Sequence, residues 1–327
     1  MAQGDRPPPP LTIGLPVYDG ERYLASTLES LLAQTYGDFE LVVCDNASTD
    51  GTEAIARAAA ARDARVRYVR APQNRGAITN FNDAFGHARG RYFKWAAHDD
   101  LHDPRFLERC VAMLDADPGL ILCHSQIRII DGEGNPIGDY RYPPGYAGDA
   151  RPSVRLAAVL REDRWCFEAF GVIRTDALRG TSLMRRFIGS DRALLAELAL
   201  LGRFAIVPDS LFLNRDHPGR GVRRYPAHHL RAAYEDPNLV GRRLLPHWRI
   251  LGEYVRAVRR ANVPAGERTR CYLELARWIG RHGNWARLAT DPLVAASPAI
   301  GDLLARLASS DRRWLGGRVR SSDDTAS

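Results

Sequence analysis

Strand and helix patterns alternate along the first third of the chain, and this alternation restricts the fold more than any other feature of the sequence. Short apolar runs are separated by segments in which apolar residues recur at helical spacing. The predicted strands are LTIGLPV, FELVVCD, VRYVRA and RYFKWAA. Strands that alternate with helices form a mostly parallel sheet flanked by helices, so we predict an α/β protein. Ligands of such sheets bind beyond the carboxyl ends of the strands.

The composition is that of a soluble globular protein. Hydrophobic residues make up 45% and charged residues 26% of the 327 residues, which is ordinary for this class. No run approaches the roughly 20 apolar residues that cross a bilayer. The opening MAQGDRPPPP lacks the apolar core of a signal peptide, so we expect a cytoplasmic location. The five cysteines form no CxxC pair, which argues against a zinc site and against a disulfide framework.

Two adjacent carboxylates, Asp99 and Asp100, directly follow the fourth predicted strand. Like charges in contact repel one another, and burial increases the cost, so a positive partner is expected. A hard divalent cation, Mg²⁺ or Mn²⁺, prefers oxygen ligands and is often shared with a phosphate. The alternative is a solvated turn that caps the next helix, although Asp103 already supplies a cap. The other strand ends hold Pro16, Tyr18 and Asp19, then Asp45 and Asn46, then Asn74 and Arg75.

Two long segments of the sequence resemble one known family. GLPVYDGERYLASTLESLLAQTYGDFELVVCDNASTDGT and NRGAITNFNDAFGHARGRYFKWAAHDDLHDP are similar to the donor half of the family 2 glycosyltransferases. The resemblance extends over roughly residues 11 to 220 and is specific as a multi-part pattern. It implies the GT-A fold, a nucleoside diphosphate sugar as donor, and Mn²⁺ or Mg²⁺ as cofactor. It also implies transfer to an acceptor hydroxyl with inversion of the anomeric carbon.

The resemblance assigns roles on the donor side by position. Pro16 and Tyr18 would contact the nucleotide, the Tyr18 ring packing against the base, and Asp19 would lie in the same crevice. Asp45 would hydrogen-bond the base edge, and Arg75 would approach the base or the diphosphate.

The resemblance also assigns the two adjacent carboxylates. The family pattern around the metal is often Asp-x-Asp-Asp, and Ala97 stands at its first place here. Asp99 then matches the ribose contact or a water-mediated metal contact, and Asp100 matches the direct metal ligand. His98 beside them is more often a packing residue than a ligand.

On the acceptor side, Asp191 in FIGSDRALLAELALLGRF matches the acidic residue that removes the proton from the acceptor hydroxyl. The helix dipole alone would also favour a carboxylate at a helix start. The usual family dipeptide is Glu-Asp, and Ser190 replaces its first residue here. In NRDHPGRG, His217 and Arg220 either clamp the departing diphosphate or are incidental charges of a Pro-Gly turn.

The segments of the chain follow from these patterns. After about residue 225 the sequence is helical and arginine-rich, and we expect it to brace the sheet or shape the acceptor side. The expected segments are a disordered lead-in (1–10), the nucleotide-sugar-binding half (11–120), the acceptor half (121–224), a helical C-terminal region (225–315) and a disordered tail (316–327).

Two other functions remain open from the sequence. A nucleotidyltransferase would use a similar sheet and metal, but PVYDGERY supplies neither its Gly-rich phosphate loop nor its lysine. A basic binding module is suggested by the net charge of +7, and only the region after residue 240 fits it. Nucleic acid is not an expected partner. The arginines and tryptophans of this region leave open a peripheral contact with the inner face of the membrane, and with it a lipid-linked glycan acceptor beside a small-molecule one.

Overall fold

One mixed sheet with helices packed against it forms the body of the protein. The structure, a computed structural model, describes residues 8–161, 165–220, 228–242, 244–281, 283–297 and 319–320. The two ends predicted to be disordered, residues 1–10 and 316–327, lie mostly outside these described residues. The strands are β1 (Leu11–Val17), β2 (Phe39–Asp45), β3 (Val66–Arg70), β4 (Tyr92–Trp95), β5 (Leu101–His102), β6 (Leu120–Ile130), β7 (Pro136–Tyr140), β8 (Val172–Arg174), β9 (Arg203–Arg215) and β10 (Val319–Arg320). The helices are α1 (Glu21–Leu32), α2 (Thr52–Arg62), α3 (Ala77–Gly86), α4 (Phe106–Ala116), α5 (Pro152–Arg161), α6 (Thr175–Arg179), α7 (Ser190–Leu201), α8 (His228–Glu235), α9 (Pro246–Arg260), α10 (Ala265–Gly280) and α11 (Asn284–Ala296).

The four N-terminal strands form the parallel part of the sheet, in the order β3-β2-β1-β4. Leu11 of β1 pairs with Phe39 of β2 and with Tyr92 of β4. Strands β1 and β2 are buried along their whole length, as central strands covered on both faces must be. The α/β fold predicted from the sequence is confirmed, and the carboxyl ends of these strands lie at one edge.

Beyond β4 the sheet becomes mixed. β8 joins β4 and β6 in antiparallel pairing, and the long strand β9 runs parallel to β6. The short strand β5 pairs antiparallel with β9, Leu101 opposite Leu213. Because β5 comes directly after the two adjacent carboxylates, this pairing brings the end of β9 beside the end of β4. Strand β10 pairs with β7, and two residues are too few to show the alternation from which a strand is predicted.

Strand β4 fills the core beneath the site with aromatic side chains. Tyr92, Phe93 and Trp95 are wholly buried, and the rings of Phe93 and Trp95 meet edge to face with centroids 4.9 Å apart. Lys94, the only lysine of the chain, is wholly buried, and its Nζ lies 4.6 Å from the ring centre of Phe106. Its Nζ donates hydrogen bonds to the carbonyl oxygens of Trp95 and Phe170. Burial lowers the pKa of Lys94 to about 7.

The predicted C-terminal helices are present and build a second hydrophobic core against α5 and α7. Ile250, Tyr254 and Val258 form the buried stripe of α9, and the ring of Trp278 on α10 meets that of Tyr254 at 5.4 Å. Trp248 and Trp285 are exposed, and Trp314 lies outside the described residues. None of the helices that the structure describes combines the length and apolar character needed to cross a bilayer.

Candidate active site

The two adjacent carboxylates lie between the ends of β4 and β9. Asp100 is only 2% exposed, so the alternative of a solvated turn is wrong. Its Oδ1 accepts hydrogen bonds from Asn214 Nδ2 at 3.0 Å and from the backbone N–H of Arg215 at 2.8 Å. Asp99 Oδ2 lies 2.9 Å from Nε2 of His217. The structure therefore brings together three residues that the sequence assigned to the donor and metal site.

Burial and charge push the two carboxylates in opposite directions. Burial, and then the negative charge of Asp99, raise the pKa of Asp100, while Arg220 acts against this shift. Burial also disfavours the charged form of Asp99, but the charges of His98 and Arg220 and the contact with His217 outweigh it and lower its pKa. Asp99 is thus ionised at neutral pH, and Asp100 holds its proton more strongly than an ordinary carboxyl does unless a further positive charge favours its ionised form.

Arg215 fixes the end of β9 against this pair, and the sequence analysis missed it. Its Nε donates to the carbonyl oxygen of Asp99 at 2.8 Å, and its Nη1 donates to that of Gly132 at 2.9 Å. The guanidinium lies 4.7 Å from the ring centre of Tyr23, which also meets the ring of His217 at 4.7 Å. A polar pair at the end of a long apolar strand, NR before DHPGRG, is the signal that could have found it.

On the nucleotide side, Asp45 is the last residue of β2, and its side chain is wholly buried. Oδ1 accepts hydrogen bonds from the backbone N–H of Ser48 at 2.8 Å and from its hydroxyl at 2.6 Å. Oδ2 accepts from the Tyr68 hydroxyl and from Nη1 of Arg70, each at 2.6 Å. Four donors within the chain therefore already use this carboxylate, and the sequence analysis missed Ser48, Tyr68 and Arg70.

Tyr18 and Asp19 follow β1 at the same edge. Tyr18 is 38% exposed, so its ring is available to a ligand. Asp19 has a φ of 48°, a left-handed conformation that Asp tolerates better than most residues. Its Oδ1 accepts from the backbone N–H of Thr49 at 2.8 Å. Pro16, which the sequence analysis grouped with these residues at the end of β1, lies inside this strand and is buried, because the strand extends to Val17.

Arg75 lies at the rim of the same edge. It forms an ion pair with Asp83 and is 43% exposed. Its backbone N–H donates to Asn46 Oδ1 at 2.9 Å, and Asn46 Nδ2 donates to Asn74 Oδ1 at 2.9 Å. The two asparagines that follow β2 and β3 thus hold the loop that presents Arg75. The guanidinium of Arg75 is paired with Asp83 on α3, the helix that follows this loop.

Asp191, the predicted base, is the second residue of α7, after Gly189 with a φ of 87°. Its Oδ1 accepts from the backbone N–H of Arg192 at 2.9 Å. Burial, and then the charge of Asp191, raise the pKa of the Cys166 thiol. A second carboxyl comes from α8, where burial, and then the charge of Asp191, raise the pKa of Glu235 to about 8. No pattern in the sequence indicates this neighbour.

Arg220 connects the carboxylates of β4 with the acceptor side. Its guanidinium lies 5.2 Å from the ring centre of Trp165, the residue before Cys166, and its charge acts on both Asp99 and Asp100. The same short segment therefore contacts Arg220 through Trp165 and, at Cys166, lies within the electrostatic influence of Asp191. Glu197, the other carboxylate of α7, accepts a hydrogen bond from the backbone N–H of Ser182 at 2.7 Å.

The oxygen donors at the end of β4 suit a divalent cation that is shared with a ligand. In the part of the chain that the structure describes, no three His, Cys, Asp or Glu side chains are gathered into a metal site. Mg²⁺ is commonly held by one or two carboxylates together with substrate phosphates rather than by an all-protein cage. Both hydrogen bonds that the Asp100 side chain accepts within the described residues go to Oδ1. Its Oδ2 and Asp99 therefore fit such a shared cation.

The mixed sheet, with its carboxylates at the ends of parallel strands, defines a GT-A-type protein. The family model described as "Glycosyl transferase family 2" matches residues 12–179. The chain therefore belongs to glycosyltransferase family 2, as the resemblance in the sequence implied.

Curated relatives match between a third and a half of the chain. The EpsE protein of Bacillus subtilis is 39% identical over 108 residues, which are 33% of this chain and 39% of EpsE. Chondroitin synthase of Escherichia coli is 34% identical over 136 residues, which are 41% of this chain and 20% of the synthase. The chain thus spans less than half the length of these relatives.

Solved structures extend the similarity to most of the fold. The structure of S. aureus TarS 1–349 in complex with UDP matches with a TM-score of 0.61 at 17% identity. The match covers 86% of this chain and 74% of the TarS chain. The mannosyltransferase PcManGT from Pyrobaculum calidifontis, in complex with GDP-Man and Mn²⁺, matches with a TM-score of 0.55 at 20% identity. The match covers 93% of this chain and 79% of the PcManGT chain. Similarity at this level of identity shows the fold.

Proposed function

We propose that this protein is an inverting, metal-dependent glycosyltransferase that moves a sugar from a nucleoside diphosphate sugar to an acceptor hydroxyl. The observation that supports this most is the buried Asp99–Asp100 pair, in which the pKa of Asp100 is raised by burial and by its neighbour. Such a pair is stabilised by a cation, and a cation beside a diphosphate is what the donor requires. The complexes of TarS with UDP and of PcManGT with GDP-Man and Mn²⁺ support the same kind of ligand.

The residues at the ends of β1 and β2 would bind the nucleotide. The exposed ring of Tyr18 offers a surface for the base, and Asp19 lies beside it. Asp45 would accept a hydrogen bond from the base edge, and for this one of its four present donors has to give way. Arg70 is the donor most easily displaced, because its side chain is 34% exposed whereas the donor Ser48 is buried. Arg75 would reach the base or diphosphate from the rim.

Asp100 and Asp99 would hold Mn²⁺ or Mg²⁺. When bound, the cation would neutralise charge on the leaving diphosphate. Arg220, whose charge already acts on both carboxylates, and His217 would add donors to the same oxygens and so stabilise the departing group.

Asp191 would act as the general base on the acceptor side. The acceptor oxygen forms a bond to the anomeric carbon as the bond from that carbon to the diphosphate oxygen breaks. The hydroxyl proton passes to the Asp191 carboxylate, and the electron pair of the broken bond leaves with the nucleoside diphosphate. A single in-line displacement of this kind inverts the anomeric centre.

Asp191→Asn tests this assignment, because the amide keeps the shape and loses the proton affinity. Loss of a general base lowers turnover by about 10²–10⁴-fold, so we expect that fall with donor affinity nearly unchanged. Glu197→Gln, on the same helix, is the control that should keep full turnover. A collapse of nucleotide affinity in Asp191→Asn would place Asp191 in the donor site and contradict the proposal.

A further inference from the structure

A buried carboxylate on α9 is surrounded by three arginines. Glu253 is 1% exposed. Its Oε1 lies 3.1 Å from Arg249 Nε and also accepts from Arg256 Nη1, while its Oε2 accepts from Arg185 Nη1 at 3.0 Å. We call Arg185, Arg249 and Arg256 the arginine cluster. Arg249 and Arg256 come from the same helix, and Arg185 comes from the loop before α7.

The arginine cluster has more positive charge than Glu253 can neutralise. Three guanidinium groups share one carboxylate, and each guanidinium has five N–H donors in a rigid fork. The arginine side chains are 34%, 44% and 41% exposed, so part of each fork faces solvent. Glu253 therefore holds the forks in place and leaves donors over. Preorganised forks of this kind match the oxygens of a phosphate.

The arginine cluster lies beside the start of α7, where Asp191 is located. The guanidinium of Arg249 is 5.7 Å from the ring centre of Phe187, four residues before Asp191. Ile250, the next residue of α9, packs on the backbone at Gly189, since a Cβ at Gly189 would lie 3.4 Å from Ile250 Cδ1. A ligand on the cluster would thus be a neighbour of the proposed acceptor site.

The surroundings of the arginine cluster favour a phosphate group over a lipid surface. A membrane-binding patch needs exposed apolar side chains beside its basic residues. The large apolar side chains packed against the cluster, Phe187 and Ile250, are 5% and 4% exposed and stiffen its base. Trp248, the residue before Arg249, is 51% exposed, but its Nε1 donates a hydrogen bond to the carbonyl oxygen of Leu288 on α11, which holds the ring against that helix. A single tethered ring is a weaker anchor than the exposed apolar face that a membrane-binding patch needs.

We propose that the acceptor is a phosphate-bearing molecule and that the arginine cluster binds its phosphate while the acceptor hydroxyl lies at Asp191. This inference rests on the proposed function, since it names the class of acceptor for the same site. Glu253 is a positioning residue here, because it acts through the arginines that it orients.

The test compares binding of glycerol 3-phosphate, with glycerol as the neutral probe, by calorimetry. The double variant Arg249→Gln/Arg256→Gln removes two forks and leaves Glu253 paired with Arg185. Arg277→Gln is the matched control, because Arg277 pairs with Glu274 at the same i,i+3 spacing as Arg256 with Glu253. Charge-assisted hydrogen bonds lost in the double variant should weaken glycerol 3-phosphate about 10–100-fold. The control should bind as the wild type does, and glycerol should bind to none of the three proteins.

Equal affinity in the wild type and the double variant, or equal binding of glycerol, would overturn the proposal. Flotation with phosphatidylglycerol vesicles covers the other source of phosphate. Vesicle binding that the double variant loses, without binding of glycerol 3-phosphate, would also overturn it and assign the cluster to a membrane. UDP with Mn²⁺ is titrated into the same samples. Failure of the wild type to bind UDP would contradict the proposed function, whatever the cluster binds.

Discussion

Asp100→Asn should make the metal-free protein more stable while removing its response to metal. The amide keeps an oxygen for the two hydrogen bonds that Oδ1 accepts from Asn214 and Arg215. It removes a buried negative charge that lies next to the ionised Asp99. A residue that costs stability in the absence of its ligand is expected at a binding site, where the structure is arranged for the bound state.

The size of the effect follows from the raised pKa of Asp100. Each unit by which folding raises a carboxyl pKa costs about 1.4 kcal/mol once the carboxyl is ionised. Burial and the charge of Asp99 together raise this pKa strongly. We expect a gain on the order of 2–3 kcal/mol for the variant, since the net shift of the pKa already includes the opposing charge of Arg220. At pH values between the pKa of Asp100 in the unfolded chain and its pKa in the folded protein, the folded state binds more protons than the unfolded state. The free energy of unfolding of the wild type therefore falls as the pH rises through this window.

Urea unfolding at pH 5 and at pH 8, with EDTA, measures the predicted difference. The variant should exceed the wild type at pH 8, and the gap should narrow at pH 5, where the wild-type carboxyl is protonated in the folded state. Mn²⁺ should then stabilise the wild type and not the variant. Asp209→Asn, at an exposed carboxylate, is the control and should stay within about 0.5 kcal/mol. A variant that is less stable than the wild type at pH 8 with EDTA would refute the reasoning.

Two further changes test the burial of charge at and beneath the site. Lys94 has a pKa of about 7 in the folded state, so the unfolded chain binds more protons above pH 7 and the stability of the wild type rises with pH there. In urea unfolding, the stability advantage of Lys94→Met over the wild type should therefore shrink by up to about 1.4 kcal/mol per pH unit between pH 7 and 9. A difference that does not change with pH would contradict this. Asp45→Asn breaks the hydrogen bond from Arg70, and it should lower both the free energy of unfolding, by about 2 kcal/mol, and the affinity for UDP. Arg70→Gln should keep the affinity for UDP. Equal loss of affinity in both variants would show that Asp45 does not contact the base.

The donor half of the fold follows from local patterns in the sequence. Apolar runs such as LTIGLPV predict central strands because both of their faces are covered, and strand ends such as Asp45 and Asp100 then fall at one edge. The antiparallel partners β5 and β9 could not be placed in this way. Their pairing depends on contacts between residues more than 100 positions apart, such as Arg215 with Asp99.

The acceptor side was predictable only as far as the resemblance reaches. Asp191 was identified by position, but its neighbours come from other elements, Cys166 from the segment before β8 and Glu235 from α8. The arginine cluster has no linear signature either, because Arg185 lies 68 residues from Glu253. Helical spacing does predict the buried stripe of α9, and it cannot tell which helices the stripe packs against.

The measurement that tests the central claim most directly is a screen of UDP, GDP, ADP and dTDP sugars for released nucleoside diphosphate. The wild type with Mn²⁺ should release diphosphate from donors of one nucleotide, even with water as a slow acceptor. EDTA, or Asp100→Ala in a protein that remains folded, should abolish that release. Undiminished release in EDTA would contradict the metal assignment, and absence of release and of binding for every donor would contradict the assignment of a nucleotide-sugar transferase.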